Sequence, residues 1–247
     1  MKEPAVCFTI VDDNYYYPVG THVFINSFKK FHPDIPFVIF RQDMVDKIFK
    51  EKDINFYKAK PTFAKLLTDK YELVVNMDSD TVVTGRLSEV FDKEYEVGAA
   101  WNFNDYENTT VDTVTEEQYV QAGLVGSRNP KFWDIWEKKN DFAMVLKCKE
   151  NDTLNMVWYN DPDVSKMNRV IFDKDQDYYG CKSLGREPEF EVYSNKLWCR
   201  GEQVLAYHWA RGASFPKLNW DINPFGFKQE VLEWFKTLSY GVTVTIL

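Results

Sequence analysis

The chain has 247 residues, of which 45% are hydrophobic and 17% aromatic, so it can bury a core and is too apolar to be disordered. Its 30 Lys and Arg against 38 Asp and Glu give a formal net charge of −8, which argues against a nucleic-acid-binding protein, because such proteins bind by neutralising phosphates. No apolar run approaches the roughly 20 residues of a membrane helix, and the first residues do not have the pattern of a signal peptide. The four cysteines show no Cys-x-x-Cys spacing, so we expect a cytoplasmic protein without disulfides.

The first hundred residues alternate between short apolar runs and amphipathic stretches. Apolar runs predict strands over 5–11, 37–40, 54–57 and 73–77. Helical spacing of apolar residues predicts helices over 19–31, 44–50 and 62–67. This alternation implies right-handed crossovers and a doubly wound, mainly parallel α/β sheet, in which ligands bind beyond the carboxyl ends of the strands.

The second half of the chain is less regular. The sequence predicts strands over 97–101 and 205–209, and helices over 131–139, 152–159 and 229–238. Residues 102–118 and 173–203 are polar and poorly patterned, and no clean domain boundary is visible. The strand-like tail, 242–247, ends abruptly, which is compatible with further domains C-terminal to this chain.

Two acidic residues, Asp78 and Asp80, directly follow the predicted strand 73–77. Two carboxylates one residue apart at a strand end can both reach one divalent cation, and Mg²⁺ or Mn²⁺ bound this way keeps positions open for phosphate oxygens. Asp-x-Asp also occurs at 161–163, 173–175 and 175–177, in polar loops that we interpret as solvated turns. A helix cap or a turn is the alternative interpretation of 78–80.

Six motifs, taken together and in order, resemble the GT-A-fold glycosyltransferases of the glycogenin and bacterial lipopolysaccharide galactosyltransferase type. Each motif is weak alone, but the six span residues 5 to about 220. The sequence as a whole is also similar to glycosyltransferase domains of large chlorella viruses that build capsid glycans. The motifs are Val11-Asp12-Asp13-Asn14-Tyr15, Thr62-Phe63-Ala64-Lys65-Leu66, Asn76-Met77-Asp78-Ser79-Asp80, Gln121-Ala122-Gly123-Leu124, Glu150-Asn151-Asp152-Thr153-Leu154-Asn155 and Tyr207-His208.

The resemblance implies a GT-A, Rossmann-like fold and a function. The expected domain covers 1–247, with a nucleotide-binding half over about 1–101 and a donor and acceptor half over about 102–247. The implied enzyme moves a hexosyl or deoxyhexosyl group from a UDP-sugar to a glycan, glycoprotein or other hydroxyl acceptor, with retention of anomeric configuration. A viral enzyme of this type would act in the host cytoplasm.

The resemblance also implies roles for individual residues. Mn²⁺ or Mg²⁺ would be held by Asp78, Asp80 and His208. The expected catalytic residues are Asp152, Asn151 and Lys65. The residues expected to contact the nucleotide, the diphosphate or the donor sugar are Thr9, Val11, Asp12, Asn14, Tyr15, Lys65, Asp78, Ser79, Asp80, Gln121, Ala122, Gly123, Arg211 and Lys217.

Some positions depart from the family pattern. Gln121 replaces the usual Asn and Asn151 the usual Gln, which leaves the identity of the donor sugar open. The loop after His208 is longer than usual, which leaves open whether Arg211 or Lys217 contacts the diphosphate. The candidates for acceptor contact are Trp209 and Trp220.

Purely structural roles are also compatible with several of these residues. His208 is also compatible with a packed histidine between Tyr207 and Trp209, and Asn151 or Asp152 with a helix N-cap. His22 and His32 have no partner pattern and are interpreted as structural.

Two other functions compete with sugar transfer. A sugar-nucleotide hydrolase or nucleotidyltransferase would use the same geometry of metal and diphosphate, but it would favour a Gly-rich loop near the N-terminus, and residues 11–20 contain one Gly. A non-enzymatic carbohydrate-binding module would bind sugar without needing a metal or a nucleotide.

Overall fold

A six-stranded sheet forms the centre of the fold. The computed structural model describes residues 1–11, 18–49, 59–101, 119–146, 150–172, 190–199, 201–208 and 228–239. In chain order the elements are β1 (Glu3–Val11), α1 (Pro18–Phe31), β2 (Phe37–Arg41), α2 (Gln42–Phe49), α3 (Lys60–Thr68), β3 (Tyr71–Met77), β4 (Thr81–Val83), α4 (Ser88–Phe91), β5 (Val97–Trp101), β6 (Val120–Ser127), α5 (Pro130–Leu146), α6 (Glu150–Asn160), a short 3₁₀ turn (Val164–Lys166), β7 (Arg169–Phe172), β8 (Phe190–Tyr193), β9 (Lys196–Cys199), β10 (Glu202–Val204), β11 (Ala206–His208) and α7 (Gln229–Ser239).

The strand order of the central sheet is β2-β1-β3-β6-β5-β7. Strand β1 runs parallel to β2 and β3, and β5 runs parallel to β7. Strand β6 is antiparallel to both of its neighbours, β3 and β5. As a result, the carboxyl ends of β1, β3 and β5 and the amino end of β6 lie at one edge of the sheet. The predicted mixed α/β fold with a mainly parallel sheet is confirmed.

Helices cover both faces of this sheet. Successive strand residues point to opposite sides, so neighbouring residues of β1 pack against different helices. On one face Cys7 packs in a cluster with Phe24 and Phe28 of α1. On the other face Phe8 belongs to a cluster that contains Phe63 of α3 and Trp133 of α5. The residues of β1 from Ala5 onward are all buried, as expected of a strand covered on both sides.

Most predicted elements are present with small shifts at their ends. Helix α3 begins at Lys60 rather than Thr62, because Pro61 is tolerated in the first turn, where a backbone N–H has no partner within the helix. The predicted strand over 54–57 and the tail 242–247 lie outside the described residues. Within the described part of the chain, no helix is long and apolar enough to cross a membrane.

The polar segment over 173–203 was predicted to lack pattern, yet its described part forms strands. Strands β8, β9 and β10 make a small antiparallel sheet. Ser194 and Asn195, which join β8 to β9, have φ of 50° and 58°, the conformation required by a two-residue hairpin turn. The inner face of this sheet packs on α7, through residues such as Leu197 and Phe235.

Candidate metal and donor site

The two aspartates lie in the tight turn that joins β3 to β4. The Asp78 backbone N–H donates to the Gly123 carbonyl at 2.9 Å, which ties the turn to the neighbouring strand β6. The Thr81 N–H donates to the Asp78 carbonyl at 3.2 Å and closes the turn. Ser79 is half-buried between the two acids. The turn therefore holds both carboxylates at the edge of the sheet where the parallel strands end.

The third member of the site comes from β11, which pairs with β4 in a two-stranded sheet. In this pairing His208 lies opposite Thr81, beside the aspartate turn. His208 Nε2 is 2.9 Å from Asp80 Oδ1 and 3.5 Å from Asp78 Oδ2. One ligand atom from each of the three residues lies within 4.8 Å of the others. The structure thus brings together the three residues predicted to hold a metal.

The chemistry of these residues fits a divalent cation. Two carboxylate oxygens and one imidazole nitrogen converge, a donor set that suits Mn²⁺ better than the oxygen-preferring Mg²⁺. Burial acts to raise the pKa of Asp80, but the His208 imidazole, a backbone hydrogen bond and Lys60 together outweigh burial and leave that pKa below its usual value. The Asp80 carboxylate is therefore held in the ionised form that a metal requires.

A buried lysine that the sequence analysis missed contacts the same turn. Lys60 Nζ lies 2.6 Å from Asp78 Oδ1 and donates to the Ala122 carbonyl at 3.0 Å. Its side chain is only 5% exposed. Burial lowers the pKa of Lys60, but Asp78 and Glu150 raise it more, so the net shift is upward. No local signal pointed to this contact, because the sequence predicted a helix over 62–67 and so placed Lys60 before its first turn.

Glu150, at the start of α6, is the second carboxylate beside Lys60. Glu150 Oε1 is 2.9 Å from Lys60 Nζ, although this oxygen does not meet hydrogen-bond geometry. Burial raises the pKa of Glu150 to about 7, against the opposing effect of the lysine. Lys60 therefore links Glu150 to the aspartate turn.

A bulge in β6 supplies the main-chain atoms of the site. The pairing of β5 with β6 jumps from Ala99 opposite Val125 to Ala100 opposite Gln121. Residues inside such a bulge do not pair across the ladder, so their backbone groups are open to other partners. The Ala122 N–H donates to Asn151 Oδ1 at 2.8 Å, while its carbonyl accepts from Lys60 and from the Asn76 amide.

Helix α6 contacts this bulge through its first turn. Because α6 begins at Glu150, Asn151 and Asp152 lie inside the helix and not at its cap. Asn151 bonds Ala122, as described above. Asp152 is fully buried and accepts a hydrogen bond from the Tyr119 hydroxyl at 3.2 Å. The structure therefore brings Asn151 to the site strand and places Asp152 against Tyr119, and their catalytic roles stay predictions.

Two further predicted residues lie on β6 beside the imidazole. Gln121 Oε1 is 3.2 Å from His208 Nδ1. A Cβ atom added at Gly123 would come within 2.8 Å of His208 Cε1. Both residues thus contact the histidine ring.

Other predicted residues lie elsewhere. Lys65 forms ion pairs with Asp134 and Glu137 of α5, at 2.8 Å and 2.7 Å, so the structure brings Lys60 and not Lys65 to the aspartate turn. Thr9 and Val11 are buried in β1. Thr9 Oγ1 has no hydrogen-bond partner among the described residues. The predicted residues outside the described part of the chain are Asp12, Asn14, Tyr15, Trp209, Arg211, Lys217 and Trp220.

Comparison with solved structures identifies the fold. The chain is similar to an active-site mutant of LgtC, with a TM-score of 0.60 and 16% identity over 94% of each chain. It is similar to the galactosyltransferase LgtC in complex with donor and acceptor sugar analogs, with a TM-score of 0.55 and 15% identity over 94% of each chain. The fold is GT-A.

A larger protein shares the same architecture. The chain is similar to the bifunctional glycosyltransferase WbbM, with a TM-score of 0.50 and 16% identity, over 85% of this chain. It spans 46% of the length of WbbM. No protein-family model matches the chain, and no curated protein sequence matches it. The predicted GT-A fold is confirmed, while the predicted likeness to the chlorella-virus domains stays a prediction.

Proposed function

We propose that the chain is a metal-dependent glycosyltransferase that moves a sugar from a UDP-sugar to a hydroxyl of a glycan or glycoprotein acceptor, with retention of anomeric configuration. The observation that carries the proposal is the convergence of Asp78, Asp80 and His208 at the carboxyl edge of the sheet. The GT-A fold supports it, because one solved neighbour, the galactosyltransferase LgtC, is described as a complex with donor and acceptor sugar analogs.

In this proposal Asp78, Asp80 and His208 hold Mn²⁺ or Mg²⁺. The bound ion supplies Lewis-acid stabilisation of the diphosphate that leaves when the sugar is transferred. Lys60 binds Asp78 Oδ1, which leaves Asp78 Oδ2 facing His208 Nε2 and free for the ion. The buried ammonium adds fixed positive charge close to the leaving group, and such preorganised electrostatics is usually the largest catalytic contribution.

The donor sugar, in this proposal, lies near Ala122 and the first turn of α6. Glu150 is the buried acid tied through Lys60 to the aspartate turn. Asn151 holds the helix to the strand bulge through its bond to Ala122. We assign to Lys60 the donor-side role that the sequence predicted for Lys65, because the described contacts of Lys65 are with α5. Asp12, Asn14 and Tyr15 remain proposed nucleotide contacts, and Arg211 and Lys217 remain proposed diphosphate contacts.

The first experiment compares two aspartates from different Asp-x-Asp triplets. Asp80→Ala is expected to abolish Mn²⁺-dependent UDP binding, because it removes one of three ligands. Asp163→Ala is the matched control, since Asp163 is exposed and pairs with Lys131 at 2.9 Å. Isothermal titration with UDP, with and without Mn²⁺, measures both. Equal behaviour of the two variants would contradict the metal assignment.

The second experiment identifies the nucleotide and the reaction. A thermal-shift panel of UDP, GDP, CDP and dTDP with Mn²⁺ is expected to favour UDP, because binding to the native state stabilises it by mass action. Sugar variants on the preferred nucleotide then identify the donor. Release of a nucleoside monophosphate or pyrophosphate without an acceptor would instead support a hydrolase or nucleotidyltransferase.

A further inference from the structure

The two ring nitrogens of His208 face different partners. Nε2 faces the carboxylates of Asp80 and Asp78, at 2.9 Å and 3.5 Å. Nδ1 is 3.2 Å from the amide oxygen of Gln121. Gln121 is buried on β6, with 3% of its surface exposed, and its amide nitrogen is 3.5 Å from the Trp101 carbonyl. The imidazole is therefore placed between the candidate metal ligands and one buried amide.

This arrangement bears on which ring nitrogen carries a proton. An amide oxygen only accepts hydrogen bonds, so the contact with Gln121 favours a proton on Nδ1; the same reasoning places a proton on Nε2 wherever that nitrogen contacts the Asp80 carboxylate directly. A neutral imidazole with a proton on Nδ1 has its lone pair on Nε2, and that lone pair is what a metal binds. In metalloproteins the ligating histidine almost always donates its other N–H to such an acceptor, which fixes ring orientation and affinity.

Gly123 makes room for the same ring. A Cβ atom at this position would lie 2.8 Å from His208 Cε1, 2.9 Å from Nδ1 and 3.0 Å from Gln121 Oε1. A real Cβ essentially never has a neighbour closer than 3.0 Å, so a methyl group at Gly123 would displace the ring from its present position. Gln121 thus fixes the rotation of the imidazole, and Gly123 allows its close approach.

We propose that Gln121 and Gly123 are positioning residues for the metal ligand His208, which they orient so that Nε2 faces the ion. The inference rests on the metal site of the proposed function, and it differs from the sequence-based expectation that both residues line the donor sugar. Their action runs through the imidazole and not through contact with substrate.

The test measures Mn²⁺ affinity by electron paramagnetic resonance, without nucleotide or sugar. Gln121→Leu removes the acceptor at nearly constant size and is expected to weaken Mn²⁺ binding by about 10- to 100-fold. Gln121→Glu keeps an oxygen acceptor and is expected to restore affinity. Gln121→Leu added to His208→Ala is expected to cause no further loss, because the two residues act as one unit.

Gly123→Ala tests the same ring by an independent route and is also expected to weaken Mn²⁺ binding. Val125→Ala is the matched control on the same strand, because Val125 is fully buried in the hydrophobic core that contains Phe8 and Trp133. It should lower the melting temperature and leave Mn²⁺ affinity unchanged. Circular dichroism identifies any variant that fails to fold, and the remaining variants still decide the question.

The outcomes separate this inference from the proposed function. The positioning role is overturned if Gln121→Leu and Gly123→Ala leave Mn²⁺ affinity unchanged. It is also overturned if Gln121→Leu lowers Mn²⁺ affinity as much in the His208→Ala variant as in the unsubstituted chain. Either result stands even if sugar transfer is observed. Affinity losses as expected support that role even if no UDP-sugar is turned over, in which case the proposed function fails alone. Absence of Mn²⁺ binding to the unsubstituted chain, both alone and in the presence of UDP, overturns both.

Discussion

Lys60 is a buried cation held between carboxylates, and its energetics follow from that position. Its ammonium lies 2.6 Å from Asp78 and 2.9 Å from Glu150. Removing one partner of a buried ion pair leaves an uncompensated charge, which costs more than the pair itself contributes. The lysine therefore matters for stability as well as for the geometry of the site.

Lys60→Met is expected to lower the free energy of unfolding by about 3–5 kcal/mol, measured by urea denaturation. Adding Glu150→Gln should recover part of this loss, because it neutralises one of the stranded acids. Lys65→Met is the control: its side chain is 37% exposed and its ion pairs with Asp134 and Glu137 lie near the surface, so the expected loss is below about 1 kcal/mol. Similar losses in both lysine variants would contradict the buried network.

His32, predicted to be structural, gives the fold a pH dependence. Its Nε2 accepts a hydrogen bond from the Leu87 N–H at 3.1 Å, and its ring stacks on Phe28. Burial, helped by Arg86, lowers the pKa of His32 from 6.5 to about 4, although Asp34 and Asp92 act in the opposite direction. The folded chain thus binds this proton less readily than the unfolded chain.

Stability is therefore expected to fall as the pH drops from about 6.5 to about 4, with a loss of about 3 kcal/mol from this group. The contribution is fully present above pH 6.5 and gone below pH 4. Urea denaturation across this range should show a weaker pH dependence in His32→Gln, whose amide oxygen still accepts from Leu87 but does not titrate. Superimposable pH profiles for the two chains would rule out this role of His32.

At the scale of elements, helix α6 is fixed to the sheet by amide side chains. Asn155 Oδ1 accepts from the Val120 N–H at 3.0 Å, and Asn155 Nδ2 donates to the Val120 carbonyl at 2.7 Å. Asn155 thus pairs with the amino end of β6 much as a neighbouring strand would. This contact sets the position of α6, and with it Glu150 and Asn151.

Asn155→Leu should destabilise the fold by about 2 kcal/mol or more, because it buries two unpaired backbone groups of Val120. Asn160→Ala, at the exposed last residue of the same helix, is the control and should change stability by less than about 0.5 kcal/mol. Thermal and urea unfolding give both values. Equal effects at the two positions would show that Asn155 does not fasten the helix.

The sequence predicted elements well where the hydrophobic period was clear. Strand β5 has the predicted bounds of 97–101, and α1 and α7 differ from prediction by one residue. The hydrophobic pattern did not predict strand β6, because its glycines and its glutamine weaken a strand pattern. Those same residues, at positions 121 and 123, lie at the bulge and beside the imidazole, so their place in the fold explains the weak strand signal.

Over the whole molecule, the candidate site draws on segments distant in the sequence. The predicted metal trio could be inferred from motif order and is brought together as expected. Lys60 could not be placed, because its contacts with Asp78, Ala122 and Glu150 depend on how α3 and α6 meet the bulge in β6. The hydrophobic pattern of a single segment does not predict such long-range contacts. The order of motifs shared with a known fold predicts some of them.

The pairing of β4 with β11 has a consequence for protein synthesis. Asp80 and His208 are 128 positions apart, so a ribosome that has released the first 150 residues has exposed both acids and Lys60 but not the imidazole. In the proposed function, a cation would meet its full set of three ligands only once β11 has paired with β4. Binding of the ion to all three ligands would then require that synthesis has passed β11, and the proposed activity would begin only after that point.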